Sequence, residues 1–234
     1  MEPATTITRG ESVRGEVVLR RRQTATGRVD ELIINGAFAM DSAVTVSERA
    51  LGRLASGARR VLLGGLGLGY TAAEVLSHPI EQLDIVELEG CLVLWAQDGC
   101  TDALQGVAAD PRVRLYAGDI ASVLRGLSTR PGLEEPTGPW DAILLDVDNG
   151  PDFLIHPQNA PLYEPPLLRA AYEQLRPGGL LAIWCQGEAQ LLESTLRGLG
   201  RAVEAHRIEV QRGERQLGYL IYTLRRATSG ASVP

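Results

Sequence analysis

The stretch "RVLLGGLGLGYTAAEVLSH", residues 60–78, decides the fold. Val61, Leu62 and Leu63 read as a buried strand, and the segment from Tyr70 reads as a helix. Gly64, Gly65, Gly67 and Gly69 lie between them, where the backbone must turn tightly and where close approach to a ligand needs side chains out of the way. The unit of strand followed by helix then recurs. "EQLDIVELE" leads to "GCLVLWAQD", and "RVRLYAGD" leads to "IASVLRGL". Beyond a Pro- and Gly-rich loop over 128–139, "DAILLDV" precedes the helix "PPLLRAAYEQL", the turn "RPGG" and the strand "LLAIWCQ". Pro165 and Pro166 suit a first helical turn, and Gly178 and Gly179 suit a helix end. Strand alternating with helix predicts a mostly parallel sheet covered on both faces. The chain then changes character. "AVEAHRIEV", a turn at "RGER" and "QLGYLIYTLRR" predict an antiparallel C-terminal hairpin, followed by a frayed tail, "ATSGASVP".

Ahead of this repeat, "GEVVLRRR" and "ELIINGAFAMDS" read as two short strands joined through Gly27, with Gly36 at a bend. Residues 43–57 carry apolar side chains at near-helical spacing. The 234 residues suffice for one generous core, and 44% hydrophobic with 22% charged residues is an ordinary globular composition. A net charge of -6 argues against nucleic acid as the main partner. Apolar runs fall short of the roughly 18 residues that cross a bilayer, and the first residues lack a secretion-signal layout. Cys91, Cys100 and Cys185 fall in no metal-ligand or disulfide pattern. A reduced cytoplasmic setting is the simplest expectation.

Ligands of open parallel sheets bind at the carboxyl ends of the strands, near the point where strand order reverses. Three acids end predicted strands there: Glu87, Asp119 and Asp146. Gly67, Gly69 and Ala72 satisfy a dinucleotide fingerprint, with Glu87 near the place of its ribose-binding acid. A nucleoside with a sulfonium tail uses the same architecture, and Asp119 favours it, because a carboxylate there can accept from an adenine amino group. Asp119 also reads as the N-cap of the next helix. The segment "LLDVDNGPD" runs from a buried strand into Asp146, Asp148 and Asp152. We read these as facing a cationic amine, although Asp148 to Pro151 is also good turn chemistry. His156 is a candidate base on the same loop, competing with a solvated role, and Tyr163 either walls a pocket or packs under the next helix. Trp95, Trp140, Trp184 and Cys185 read as core, and Arg20 to Arg22 as a solvated strand end. No metal is expected, for want of His or Cys at ligand spacing; Mg²⁺ on Asp146 and Asp148 is the alternative.

Taken in order, "VLLGGLGLGYTAAEVL", "VELE", "DPRVRLYAGD", "WDAILLDVDNGP" and "LRPGGLLAIW" resemble the class I S-adenosylmethionine-dependent methyltransferases. More narrowly the chain is similar to the polyamine aminopropyltransferases, spermidine synthase and its relatives, from about residue 30 to the end. The resemblance implies an α/β, Rossmann-like methyltransferase fold with an antiparallel C-terminal hairpin and a small N-terminal β element. The expected divisions are 1–50 for the β-hairpin element, 51–226 for the Rossmann domain and 227–234 for the tail. It further implies that Gly64, Gly65, Gly67 and Gly69 cradle the methionine-derived tail, Glu87 holds the ribose, Asp119 the adenine, and Asp146 takes the proton of an attacking amine. Asp148, Asp152, His156 and Tyr163 would then serve the acceptor, with Asp148 also a catalytic candidate. A homodimer is implied as well.

The chain departs from that family in the loop, which reads "GGLGLGY" where aminopropyltransferases carry an aspartate. It has D-x-D where they have D-x-x-D, and Glu48, Arg49 and Ala39 stand near their Tyr-His and glutamine positions. Losing the loop acid removes a repulsion against the carboxylate of intact S-adenosylmethionine. The expectation is therefore methyl transfer from S-adenosylmethionine to a small amine. The alternatives are aminopropyl transfer from the decarboxylated donor, a nucleoside-binding protein without catalysis and, least favoured, an NAD-dependent oxidoreductase.

Overall fold

The structure is a computed structural model that describes residues 4–12, 14–25, 27–127, 135–199, 203–212 and 215–228. A small antiparallel sheet comes first: β1 (Thr5–Ser12), β2 (Gly15–Thr24), β3 (Gly27–Ile34) and β4 (Ala37–Asp41), in that spatial order. Helix α1 (Val46–Arg53) then leads into β5 (Arg60–Gly64), α2 (Tyr70–Leu76), β6 (Gln82–Glu87), α3 (Gly90–Gln97), α4 (Asp102–Ala109), β7 (Val113–Ala117) and α5 (Ile120–Leu124). The second half contains β8 (Trp140–Leu145), a 3₁₀ helix over Pro157–Tyr163, α6 (Pro165–Gln174), β9 (Leu175–Cys185), α7 (Gln190–Leu199), β10 (Val203–Arg212) and β11 (Arg215–Arg225). The large sheet has the order β10-β11-β9-β8-β5-β6-β7. Its members from β5 to β9 run parallel, while β10 and β11 are antiparallel to each other and β11 to β9. The chain leaves β5 toward β6 and β7 and then returns to the other flank of β5 as β8. Strand order therefore reverses between β5 and β8, which is where a ligand site belongs.

The strand period of two divides the core. Val61 and Leu63 join a cluster on one face with Ala142 and Leu144, while Leu62, Ile143 and Leu145 join a cluster on the other. The first cluster also includes Val17, Leu19 and Leu32, so the N-terminal sheet packs against that same face. Trp95, Trp140, Trp184 and Cys185 are buried as expected, and burial pushes the Cys185 thiol up to about 12. Trp140 is fully enclosed, and its indole N–H donates at 3.3 Å to Asp84, a buried carboxylate in β6.

Several elements differ from the pattern-based expectation. The hairpin through Gly27 is present as β2 and β3, but β1 and β4 flank it. β1 escapes pattern reading because "TTITRGES" is largely exposed and carries one large apolar residue, Ile7. Arg20, Arg21 and Arg22 are not a free basic end. They pair across the hairpin with Glu31 at 2.6 Å, Asp30 at 2.6 Å and Glu31 at 2.5 Å. The glycines of "RPGG" do not cap α6, which ends at Gln174. They lie in a bulge of β9 and exchange backbone bonds with Arg226: Gly178 N–H donates to it at 2.9 Å, and its own N–H donates to Gly179 at 2.8 Å. The middle of the "RGER" turn, part of the 128–139 loop and the end of the tail lie outside the described residues. Among the described residues, no helix is long and apolar enough to cross a membrane.

Replacing Trp140 with Ala removes the largest fully buried side chain among the described residues and one of the donors to Asp84, which also accepts from the Gln82 side chain at 2.8 Å. We expect a loss of about 3–5 kcal/mol, read as a lower midpoint in chemical denaturation.

Candidate active site

The floor of the site is the bend after β5. Gly65 and Gly67 adopt φ of +89° and +52°, conformations that a Cβ would strain. At Gly65 a Cβ would also stand 2.1 Å from the Asp146 carbonyl oxygen, so the ends of β5 and β8 meet there through backbone alone. The Asp146 amide donates to the Gly64 carbonyl at 2.8 Å, and the Gly65 amide donates to that of Val86 at 2.9 Å. Above this floor opens a cleft of about 910 Å³, its mouth and the open space before it included.

Six carboxyl groups line the cleft: Glu48, Glu87, Glu89, Asp119, Asp146 and Asp148. Glu87, at the end of β6, accepts from the amides of Leu66 at 2.7 Å and Glu89 at 2.8 Å. Burial raises its pKa, opposed by those amides of Glu89 and Leu66. Asp119 caps α5 by accepting from the Ala121 amide at 2.8 Å, and it lines the cleft as well. The capping reading is thus seen directly, and the same side chain stands on the cleft lining. Asp146 accepts from the Thr71 hydroxyl at 2.6 Å. Burial pushes its carboxyl up to about 7, the charges of Glu48 and Glu87 adding to the effect and the Thr71 hydroxyl opposing it.

Asp148 is engaged differently. One oxygen accepts from the amides of Asn149, at 2.9 Å, and Ile155; the other accepts from the His156 amide at 3.3 Å and the Asn159 side chain at 3.0 Å. The carboxylate thus ties the loop after β8 into one shape, and it is not free to share a cation with Asp146. His156 is carried into the cleft by that loop, buried, with Nε2 at 3.6 Å from Glu89. Its surroundings are the opposite of the solvated position that a lone loop histidine usually takes. Asp152 is exposed and lies outside the cleft lining, and so does Tyr163, which packs in the core with a hydroxyl raised well above its usual pKa by burial.

Sequence reading gave no site role to Glu48, Glu89 and Thr71, and it read Trp184 as core alone. Glu48 comes from α1, half-buried, with its pKa raised by burial, and it was noted only as a departure from a family pattern. Glu89 sits two residues beyond Glu87, the one signal that marked it. Trp184 of β9 lines the cleft, with its ring 5.1 Å from that of Tyr219. One apolar wall comes from the N-terminal sheet, through Leu32, Ile34, Ala39 and Met40, and Val86, Leu92, Ile120 and Ile155 of the larger unit add further apolar lining. The Met40 sulfur accepts from the Leu68 amide at 3.3 Å.

If Asp148 holds the loop, Asp148→Ala should leave the sheet intact while the Ile155 and His156 amides exchange with solvent about ten to a hundred times faster. Hydrogen-exchange mass spectrometry of the 149–160 segment reads this directly.

No family model matches the chain. Over 164 residues it is 31% identical to a polyamine aminopropyltransferase of Mycobacterium tuberculosis, a match covering 67% of this chain and 29% of that protein. It is 34% identical over 127 residues to putrescine N-methyltransferase 4 of Nicotiana tabacum, covering 53% of this chain and 28% of that protein. The matches thus take in less than a third of the length of these curated relatives. Among solved structures, spermidine synthase in complex with the transition state analogue AdoDATO aligns with a TM-score of 0.71 at 16% identity, covering 94% of this chain and 72% of that one. Spermidine synthase from Thermotoga maritima gives 0.69 at 15% identity, with the same coverage. The chain is thus similar in sequence to a polyamine aminopropyltransferase and shares the fold of spermidine synthase.

Proposed function

We propose that the chain transfers an aminopropyl group from decarboxylated S-adenosylmethionine to an amine of the polyamine class. The observation that carries this reading is the sign of the cleft: six carboxyl groups and one histidine line it. A donor tail ending in an ammonium is attracted there, and one ending in a carboxylate is repelled. Two further features of the cleft support a nucleoside of this kind. Its floor is bare backbone at Gly65 and Gly67, and the buried Glu89 Oε2 and Trp184 Nε1 have no hydrogen-bond partner among the described residues. The similarity to a polyamine aminopropyltransferase points the same way.

In this reading Gly64, Gly65, Gly67 and Gly69 bring backbone under the tail, Glu87 accepts from the ribose, and Asp119 accepts from the adenine amino group. Glu48 and Asp146 face the acceptor. An alkylammonium has no lone pair, so Asp146 must take its proton before reaction. The freed nitrogen pair then attacks the carbon beside the sulfonium, the carbon–sulfur bond breaks, and its electrons return to sulfur. Glu48 keeps a second negative charge beside Asp146. That charge draws the cation in and holds the base in the range where it can both accept and release a proton. Asp148 acts through the loop it orders, and Asp152 and Tyr163 have no direct part. The resemblance also implies a homodimer, which light scattering can check.

Methyl transfer from intact S-adenosylmethionine is the second reading. It is favoured by the missing loop acid at Leu66 and Leu68 and by the likeness to putrescine N-methyltransferases. Calorimetry separates the two. Tighter binding of methylthioadenosine and decarboxylated donor supports aminopropyl transfer; tighter binding of S-adenosylhomocysteine and intact donor overturns it. Absence of turnover across a panel of diamines and monoamines would remove both.

Asp146→Asn should lower turnover about a hundred- to ten-thousandfold while leaving donor affinity unchanged by calorimetry. Because the base must be ionised, kcat/KM should fall as pH drops below about 7 and level off above it. Glu48→Gln removes a neighbouring negative charge and so eases ionisation of Asp146, and the acid limb should move to lower pH. A limb that stays in place in that variant would separate Glu48 from the base.

A further inference from the structure

The hydrogen-bond accounting at the end of β6 leaves one acceptor without a donor. Glu87 is bound by the amides of Leu66 and Glu89 at 2.7 and 2.8 Å, and the Gly67 amide adds a third bond. A carboxylate offers about four acceptor sites, so roughly one remains for a ligand. A ribose presents two vicinal hydroxyls at this position. Glu89 is the N-cap residue of α3, yet its side chain makes no capping bond. It lines the cleft instead, only 2% exposed. Its Oε1 lies 3.6 Å from His156 Nε2, and its Oε2 has no hydrogen-bond partner among the described residues. A buried carboxylate oxygen without a donor is costly in an empty site and favourable once a donor arrives.

We propose that Glu89 is a second sugar-binding acid, taking one ribose hydroxyl while Glu87 takes the other, with His156 holding its carboxylate in place. This rests on the reading that the cleft takes a ribonucleoside. It makes the site specific for the intact vicinal diol, so that a deoxyribonucleoside leaves one buried oxygen unpaired. The Asp148-anchored loop delivers His156 to that position.

Calorimetry with methylthioadenosine and its 2′-deoxy and 3′-deoxy analogues tests it, using wild type, Glu89→Leu and Glu89→Gln. Leu fills similar space without an acceptor, and Gln keeps an acceptor oxygen. Wild type should bind the ribonucleoside about ten- to a hundredfold more tightly than either analogue. Glu89→Leu should lose that advantage against one analogue only, with the affinity for that analogue unchanged, and Glu89→Gln should retain most of the wild-type affinity. Equal weakening of all three nucleosides in Glu89→Leu, or no weakening of any, overturns the role of Glu89. Should wild type bind none of the three, the ribonucleoside reading of the cleft fails first and takes this proposal with it. Unliganded melting curves confirm that each variant is folded.

Discussion

Gly65 has no side chain because the carbonyl oxygen of Asp146 stands where a Cβ would be. That contact fixes how the ends of β5 and β8 lie against each other, at the one place in the sheet where strand order reverses. The bend at Gly65 and Gly67 is held from below by the Val86 carbonyl and from the side by the Glu87 carboxylate. Asp146 is held by the Gly64 carbonyl and, through its side chain, by Thr71 of the following helix. The glycine bend and the candidate base are therefore one backbone-bonded unit, and neither can shift without the other.

The charges follow from that crowding. Strand ends in a parallel sheet point to a common edge, so acids placed at the ends of β6, β7 and β8 converge whether or not their charges agree. Here they converge in a partly dry cleft, with Glu48 added from α1. Burial and mutual repulsion both favour the neutral form of Asp146, and a cationic ligand relieves both. The same field discriminates between ligands by sign, so a carboxylate and an amine presented to this edge differ in electrostatic energy.

Much of this was legible in the sequence. The strand period and the repeated strand-to-helix unit locate Gly64 to Gly69, Glu87, Asp119 and Asp146, because a residue that ends a buried strand has only one place to go. The method weakens where position depends on a tertiary neighbour. Glu48 reaches the cleft through the docking of α1, and Glu89 through a side chain that turns away from its own helix. His156 reads as solvated until the bonds from Asp148 are known, since those bonds span 7 to 11 residues of irregular chain. Asp152 shows the converse error in reasoning from spacing: an acid near two cleft acids in sequence is carried to the surface by the turn at Gly150. The alternation of "TTITRGES" gave no strand signal because both of its faces are largely wet.

The apolar wall of the cleft has a separate origin from its acids. Leu32, Ile34, Ala39 and Met40 belong to a sheet that shares no strand with the larger one, so its ladder can tolerate exchanges that the parallel strands cannot. The lining from Ile34, Ala39 and Met40 can therefore vary while the acids at the strand ends stay in place, whereas Leu32 is tied to the core. Rewriting that one wall leaves the edge where the strands converge untouched.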